Sequence, residues 1–118
     1  MTLRFYGKKS CGTCQKAKTF LIETKVSFEE IAIEQEPPAK EILSRLLAHA
    51  GEDLKRTLNT RSKMYKEKKL GETPLVADVL LALMHEDPNL IRRPVLVKAD
   101  GSFYQGFEPA SLEVFLAK

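Results

Sequence analysis

The sequence lacks an apolar run long enough to span a bilayer. Its longest apolar stretch, residues 75–84, is interrupted by Asp78 and is only about half as long as a membrane-spanning helix. Residues 1–9 contain no apolar segment typical of a secretory signal, because a strand-like pattern begins almost at once. We therefore expect a cytoplasmic protein that makes no contact with a membrane.

The sequence also lacks a marked excess of charge of either sign. Its 19 Lys and Arg residues are interleaved with 16 Asp and Glu residues, which leaves a net charge of +3. Proteins dedicated to nucleic acids usually present a much more basic surface. The composition therefore argues against direct nucleic-acid binding. The length of 118 residues suits one domain with one core, and we expect a monomer.

Cysteine and histidine are scarce, with two residues of each. A zinc site usually needs four ligands, and His49 and His85 stand at no recognised spacing from Cys11 and Cys14. The two histidines are expected to end helices instead. A disulfide across so short a loop would constrain the unfolded chain little, which disfavours a structural bridge. We expect neither a bound metal nor a bound cofactor.

The two thiols stand at a predicted junction between a strand and a helix. Residues 3–6 have the pattern of a strand, and residues 12–23 have that of a helix with Ser10 as its N-cap. One stripe of this helix repeats at steps of three and four residues: Cys11, Cys14, Ala17 and Leu21. Cys14 is therefore predicted to face the core, whereas Cys11 lies at the mouth of the site.

This position favours the ionised form of Cys11. A free thiol has a pKa of about 8.5, but a helix N-terminus and the nearby Lys8 and Lys9 favour the thiolate. Residues three apart on a helix have Cβ atoms about 5–6 Å apart, so Cys14 can resolve a mixed disulfide or sulfenic acid on Cys11. The alternative of an inert core thiol applies to Cys14 alone. We interpret the pair as redox-active.

The segments that follow predict a second strand and a run of helices. Residues 26–33 alternate between apolar and polar, which completes a strand–helix–strand unit with parallel pairing. Pro38 is predicted to open the next helix, and Thr73-Pro74 a later one. The predicted buried face of that later helix consists of Val76, Val79, Leu80 and Leu83.

The last third of the chain predicts a hairpin and a final helix. Residues 95–97 and 102–105 are the strands, joined at Asp100-Gly101, and Pro109 begins the helix. The predicted fold is therefore α/β and thioredoxin-like, a four-stranded mixed sheet in the order βαβ, helical insertion, ββα. We expect one domain over residues 1–118, with the insertion at about residues 38–88.

Three arginines are candidates for binding an anion. Arg92 taken alone is expected to be a solvated surface residue. Arg93 directly precedes Pro94 at the start of a strand, and in thioredoxin-like folds the matching proline is cis and lies beside the active thiol. From there Arg93 would hold an anion at Cys11 with its planar fork of donors. Arg61 lies in a predicted loop, where functional polar residues are concentrated.

Four segments resemble the arsenate reductase (ArsC)/Spx family: Cys-Gly-Thr-Cys-Gln-Lys-Ala-Lys at 11–18, Asn-Thr-Arg-Ser-Lys at 59–63, Leu-Ile-Arg-Arg-Pro at 90–94 and Gln-Gly-Phe at 105–107. The Cys-Gly-Thr-Cys motif is most similar to that of small reductase-like members. The resemblance implies that Cys11 is the active cysteine and that Arg61 and Arg93 hold an oxyanion. The further binding candidates are Arg92, Pro94, Gly12 and Thr13. Glutathione, thioredoxin or glutaredoxin is the implied reductant.

Two departures separate the chain from the glutathione-coupled arsenate reductases. Those enzymes have a serine at the position of Cys14 and a third arginine in the final hairpin, whereas residues 102–108 contain none. The missing charge argues against arsenate as the natural substrate. We therefore expect a thiol–disulfide oxidoreductase in which Cys11 is the nucleophile and Cys14 resolves, acting on a small thiol, an oxyanion or a redox protein. The alternative is an Spx-type regulator that uses the pair as an oxidation switch while binding RNA polymerase.

Overall fold

The computed structural model describes residues 2–118, so that only Met1 lies outside the described residues. The chain divides into two compact units, one made of the residues up to Ala32 together with Arg93–Lys118, the other of Ile33–Arg92. The cysteine pair and the sheet belong to the first unit. The assignment of one domain with an insertion at about residues 38–88 stays a prediction. Among residues 2–118, no helix is long and apolar enough to cross a membrane.

The first unit is a four-stranded mixed sheet with two helices. Its elements are β1 (Leu3–Gly7), α1 (Gly12–Glu23), β2 (Phe28–Ala32), β3 (Val95–Val97), β4 (Phe103–Gln105) and α5 (Pro109–Ala117). The strands lie in the order β2-β1-β3-β4, with β1 parallel to β2 and the other neighbours antiparallel. The predicted thioredoxin-like α/β fold is therefore confirmed.

One apolar cluster holds α1 on the sheet. Alternate residues of a strand point to the same face, and Leu3 and Phe5 of β1 share one face with Leu96 of β3. These three side chains pack with residues of both helices: Cys14, Ala17, Leu21 and Leu112. The face of α1 that carries Cys14 is thus fixed by burial, while the start of the helix lies at the carboxyl end of β1.

The second unit is helical. It contains α2 (Lys40–Ala50), α3 (Lys63–Glu67), α4 (Ala77–Glu86) and two 3₁₀ helices, Leu54–Thr57 and Pro88–Leu90. Leu58 forms an isolated antiparallel bridge with Ile91, and the Asn59 N–H donates to the Leu90 carbonyl at 2.7 Å. The loop that carries Arg61 is therefore hydrogen-bonded to the segment that leads toward β3.

The predicted start of α4 at Thr73-Pro74 is wrong. The helix begins at Ala77, with Val76 in extended conformation as its N-cap residue. The Thr73 hydroxyl donates to the Lys69 carbonyl at 2.8 Å. Because this hydroxyl completes the preceding turn, it does not cap α4.

The predicted buried face of α4 is wrong in part. Leu80 and Met84 are buried, whereas Val76 and Val79 are 56% and 55% exposed and Leu83 is half-buried. Residues 79–84 are all apolar, so the spacing of apolar side chains could not select the face that packs.

Two neighbouring substitutions in α4 test the corrected face. Leu80→Ala is expected to lower the free energy of unfolding by about 2–5 kcal/mol, because it leaves a cavity in a packed core. Val79→Ala is expected to change it by no more than about 0.5 kcal/mol, since the side chain is mostly solvated. Urea unfolding of both variants measures the difference, and equal losses would contradict the observed packing.

Candidate dithiol site

The sulfur of Cys11 caps helix α1. Cys11 has an extended backbone (φ −87°, ψ 117°), and its Sγ accepts the backbone N–H of Cys14 at 3.3 Å. The prediction of Ser10 as the N-cap is therefore wrong. The Cys11 N–H donates to the Lys8 carbonyl at 3.0 Å, and this turn places Cys11, not Ser10, where the first helical N–H groups point.

The loop before Cys11 is held by a side chain of α1. Gln15 Nε2 donates to the Lys9 carbonyl at 2.8 Å, and the Gln15 N–H donates to the Cys11 carbonyl at 3.1 Å. These two bonds fix the residues on either side of the capping sulfur. The sequence carries no signal for this role of Gln15, because nothing in its spacing reveals a bond back to the loop.

Cys14 is fully buried, as predicted, and both cysteines are free thiols. The pKa of the Cys14 thiol is raised to about 12, chiefly by burial and in addition by the hydrogen bond to Cys11 and the charge on Cys11. A backbone hydrogen bond from Lys8 opposes this rise only in part. Cys14 therefore keeps its proton at neutral pH.

Cys11 is half-buried, and the pKa of its thiol shifts in the opposite direction to that of Cys14. Burial by itself raises the pKa of the Cys11 thiol, but hydrogen bonds from the Cys14 side chain and backbone outweigh it, together with the hydrogen bond and charge of Arg93. The net result is a lowered pKa for Cys11. The pair is thus asymmetric, with a thiolate favoured at the helix start and a protonated thiol one turn deeper.

Arg93 supplies the positive charge of the site. It precedes Pro94 through a cis peptide bond, and the Pro94 carbonyl accepts the Gly106 N–H at 2.8 Å. Arg93 Nε and Nη1 are buried and have no hydrogen-bond partner among the residues that the structure describes. Buried donors are nearly always bonded in folded proteins, so two unpartnered N–H groups next to a thiol are an exception.

The other predicted binding residues do not all belong to the same unit as Cys11, Cys14 and Arg93. Gly12 and Thr13 form the exposed first turn of α1, between the two cysteines. Arg61 and Arg92 belong to the unit Ile33–Arg92 and are both exposed. There the Arg61 N–H donates to Asn59 Oδ1 at 3.1 Å, and the Arg92 N–H donates to the Thr57 carbonyl at 3.0 Å.

Within residues 2–118, no group of three or more His, Cys, Asp and Glu side chains is arranged to hold a metal ion. A strand–helix–strand unit, a following hairpin and helix, a dithiol at the first helix and a neighbouring cis-proline together define a thioredoxin-like protein. Residues 6–115 match the ArsC family, and the chain belongs to that family. The resemblance noted from the four segments is thereby confirmed.

Three relatives show the range of the similarity. The chain is 41% identical to the uncharacterized protein YusI of Bacillus subtilis over 97 residues, which are 80% of this chain and 82% of YusI. It is 30% identical to the global transcriptional regulator Spx of Enterococcus faecalis, over 98% of this chain and 87% of Spx. The crystal structure of a possible arsenate reductase from Streptococcus mutans matches with a TM-score of 0.83 and 32% identity, over 96% of this chain and 97% of that chain.

The raised pKa of Cys14 makes the fold sensitive to alkali. Above pH about 8.5 the unfolded thiol loses its proton, while the folded thiol keeps it until pH about 12. Stability is therefore expected to fall as pH rises through this range, by up to about 1.4 kcal/mol per pH unit.

Urea unfolding between pH 9 and 11, with reductant present, should show this loss of stability in the wild type and a smaller loss in Cys14→Ala. The difference between the two losses should be on the order of one ionisation. Cys11 adds little to the slope in that range, because its folded pKa is lowered and the unfolded thiol ionises near pH about 8.5. Identical slopes for the two proteins would contradict the buried, protonated Cys14.

Proposed function

We propose that the protein is a thiol–disulfide reductase with Cys11 as its nucleophile and Cys14 as its resolving thiol. The observation that carries the proposal is the asymmetric pair at the start of α1, in which Cys14 donates to the Cys11 sulfur and Arg93 adds positive charge. A cytoplasmic setting fits this role, since reductants there keep such thiols reduced.

The first step is attack by the Cys11 thiolate on a sulfur of the oxidised substrate. A bond forms between Cys11 Sγ and one substrate sulfur, and the substrate disulfide breaks to release the other as a thiolate. A lowered pKa supports this role because only the thiolate attacks, and Cys11 is the cysteine of the pair with that shift.

The second step is resolution by Cys14. Its thiol passes its proton to the departing substrate sulfur and attacks Cys11 Sγ, so that the mixed disulfide breaks, the substrate leaves as a thiol and a Cys11–Cys14 disulfide remains. Two electrons from glutathione, thioredoxin or glutaredoxin then restore the dithiol. In the mixed disulfide the Cys11 sulfur is uncharged and no longer acts as a thiolate acceptor. The charge and the hydrogen bond of Cys11 therefore no longer raise the pKa of Cys14. Burial, the largest cause, persists, and we therefore expect resolution to be slower than attack.

Arg93 is proposed to bind the anionic part of the substrate beside Cys11. Its Nε and Nη1 are buried donors without a partner among the described residues, and a carboxylate or oxyanion would satisfy both. We include Arg61, Arg92, Pro94, Gly12 and Thr13 in the proposed binding set on the evidence of the sequence. A small thiol such as glutathione and an oxyanion share the negative charge that this arginine would recognise.

The comparisons support a reductase and also an alternative. Membership of the ArsC family and similarity to a possible arsenate reductase favour thiol-dependent reduction. The similarity to Spx over nearly the whole chain favours a second candidate, a redox-sensing regulator that binds RNA polymerase and uses the same dithiol as a switch.

Cysteine substitutions test the proposed roles. Cys11→Ser is expected to reduce turnover of a small mixed disulfide of glutathione to the uncatalysed rate, because no other described thiol is exposed. Cys14→Ser is expected to complete the first step and to accumulate a glutathione adduct on Cys11, which intact-mass spectrometry detects. Unchanged turnover in Cys11→Ser would rule out the reductase.

Loss of Arg93 tests the anion site. Arg93→Gln is expected to lower kcat/KM for an anionic disulfide by about 10–100-fold, the value of a hydrogen bond to a charged group. Arg4→Gln removes the same charge from an exposed position in β1 and serves as the control. A neutral disulfide should be affected less by Arg93→Gln, and an equal loss for both substrates would contradict anion binding.

The regulator is distinguished by its partner. Reduced and oxidised protein are each mixed with RNA polymerase from the same organism and recovered by affinity purification. Binding that depends on the Cys11–Cys14 disulfide, with no turnover of small disulfides, would favour the regulator. Turnover without polymerase binding is the outcome that we expect.

A further inference from the structure

Gly7 occupies an unusual place for a glycine. It is the last residue of β1, it is buried, and it pairs with Ala32 of β2. A glycine in a strand weakens the strand, and it often marks a point where another group approaches closely. Positive φ values do not explain it, because the described glycines with positive φ are Gly51, Gly101 and Gly106. The remaining reason for a glycine is the space that its missing side chain leaves.

That space is taken by two side chains. A Cβ at position 7 would lie 2.6 Å from Phe5 Cε1 and 3.2 Å from Cys14 Sγ. The Phe5 ring is 1% exposed and packs against Phe28 with 5.5 Å between ring centroids, so it has little freedom to move away. Cys14 is equally enclosed, among the residues of the core cluster. Any side chain at position 7 must therefore displace the ring, the sulfur or both.

Displacement of the Cys14 sulfur would change the surroundings of the Cys11 sulfur. The Cys14 sulfur lies against the end of β1, 3.2 Å from where a Cβ at position 7 would stand, and the Cys14 N–H donates to the Cys11 sulfur at 3.3 Å. Hydrogen bonds weaken steeply when their geometry is lost. Gly7 thus stands at the back of the dithiol site, and a side chain there would push the Cys14 sulfur by a few tenths of an ångström.

We propose that Gly7 is a positioning residue of the dithiol: its bare Cα lets the Cys14 sulfur lie against the end of β1, within hydrogen-bond reach of the Cys11 sulfur. This inference rests on the proposed redox function of the pair. The absence of a side chain at the end of β1 would then contribute both to the acidity of Cys11 and to the rate of disulfide formation.

Gly7→Ala tests the inference by two measurements. The pH midpoint of Cys11 alkylation by iodoacetamide should rise by about one unit, which is a tenfold loss of thiolate and the value of about one hydrogen bond to a charged group. The rate of Cys11–Cys14 disulfide formation with excess oxidised glutathione should fall by about tenfold as well. Gly7→Ala with the wild-type midpoint and rate would overturn the proposal.

Two further variants separate positioning from stability. Leu80→Ala destabilises the helical unit Ile33–Arg92, and Leu80 does not belong to the cluster around Cys14, so this variant should leave both measurements unchanged. The double variant Phe5→Leu/Gly7→Ala removes the clash with the ring and keeps the one with the Cys14 sulfur. It should recover stability without recovering the midpoint or the rate, and it carries the test if Gly7→Ala does not fold.

Recovery of both measurements in the double variant, or an equal shift in Leu80→Ala, would show that Gly7 contributes only to packing and stability. Failure of the proposed function has a different signature. In that case the wild-type protein would form no Cys11–Cys14 disulfide with oxidised glutathione, whereas the comparison of Cys11 alkylation midpoints between wild type and Gly7→Ala would still decide the role of Gly7.

Discussion

The backbone N–H of Cys14 donates to the Cys11 sulfur, and this one hydrogen bond serves both the fold and the chemistry. It satisfies a helical N–H group that would otherwise lack a partner at the start of α1. It also favours a negative charge on the sulfur that receives it. Because the cap of the helix is itself the proposed nucleophile, the helix cannot begin elsewhere without changing the acidity of Cys11.

The surroundings of the pair keep its two members different. Cys14 is buried by the same cluster that fixes α1 on the sheet, so its high pKa is chiefly a consequence of burial, to which the hydrogen bond and charge of Cys11 add. Arg93 directly precedes the start of β3 and brings positive charge to Cys11, the half-buried member, while two of its buried donors have no partner among the described residues. We infer that an anionic substrate completes the site, since the donors have no partner among the described residues.

The sequence predicted the elements whose signals are local. The βαβ unit, the Asp100-Gly101 hairpin and the burial of Cys14 follow from residue spacing and turn chemistry, and the structure has all three. The face of α4 was missed because apolar residues surround the helix there. The capping role of Cys11, the bond from Gln15 to the loop and the space left at Gly7 depend on neighbours brought together by folding, which no spacing rule contains.

We expect Cys11 to ionise first and easily, while Cys14 keeps its proton. Ultraviolet absorbance of the thiolate, followed against pH in the reduced wild-type protein and in Cys11→Ser, measures this directly. We expect one ionisation with a midpoint below the ordinary thiol value of about 8.5, present in the wild type and absent from Cys11→Ser. A first midpoint at or above that value, or the same low midpoint in Cys11→Ser, would contradict the account.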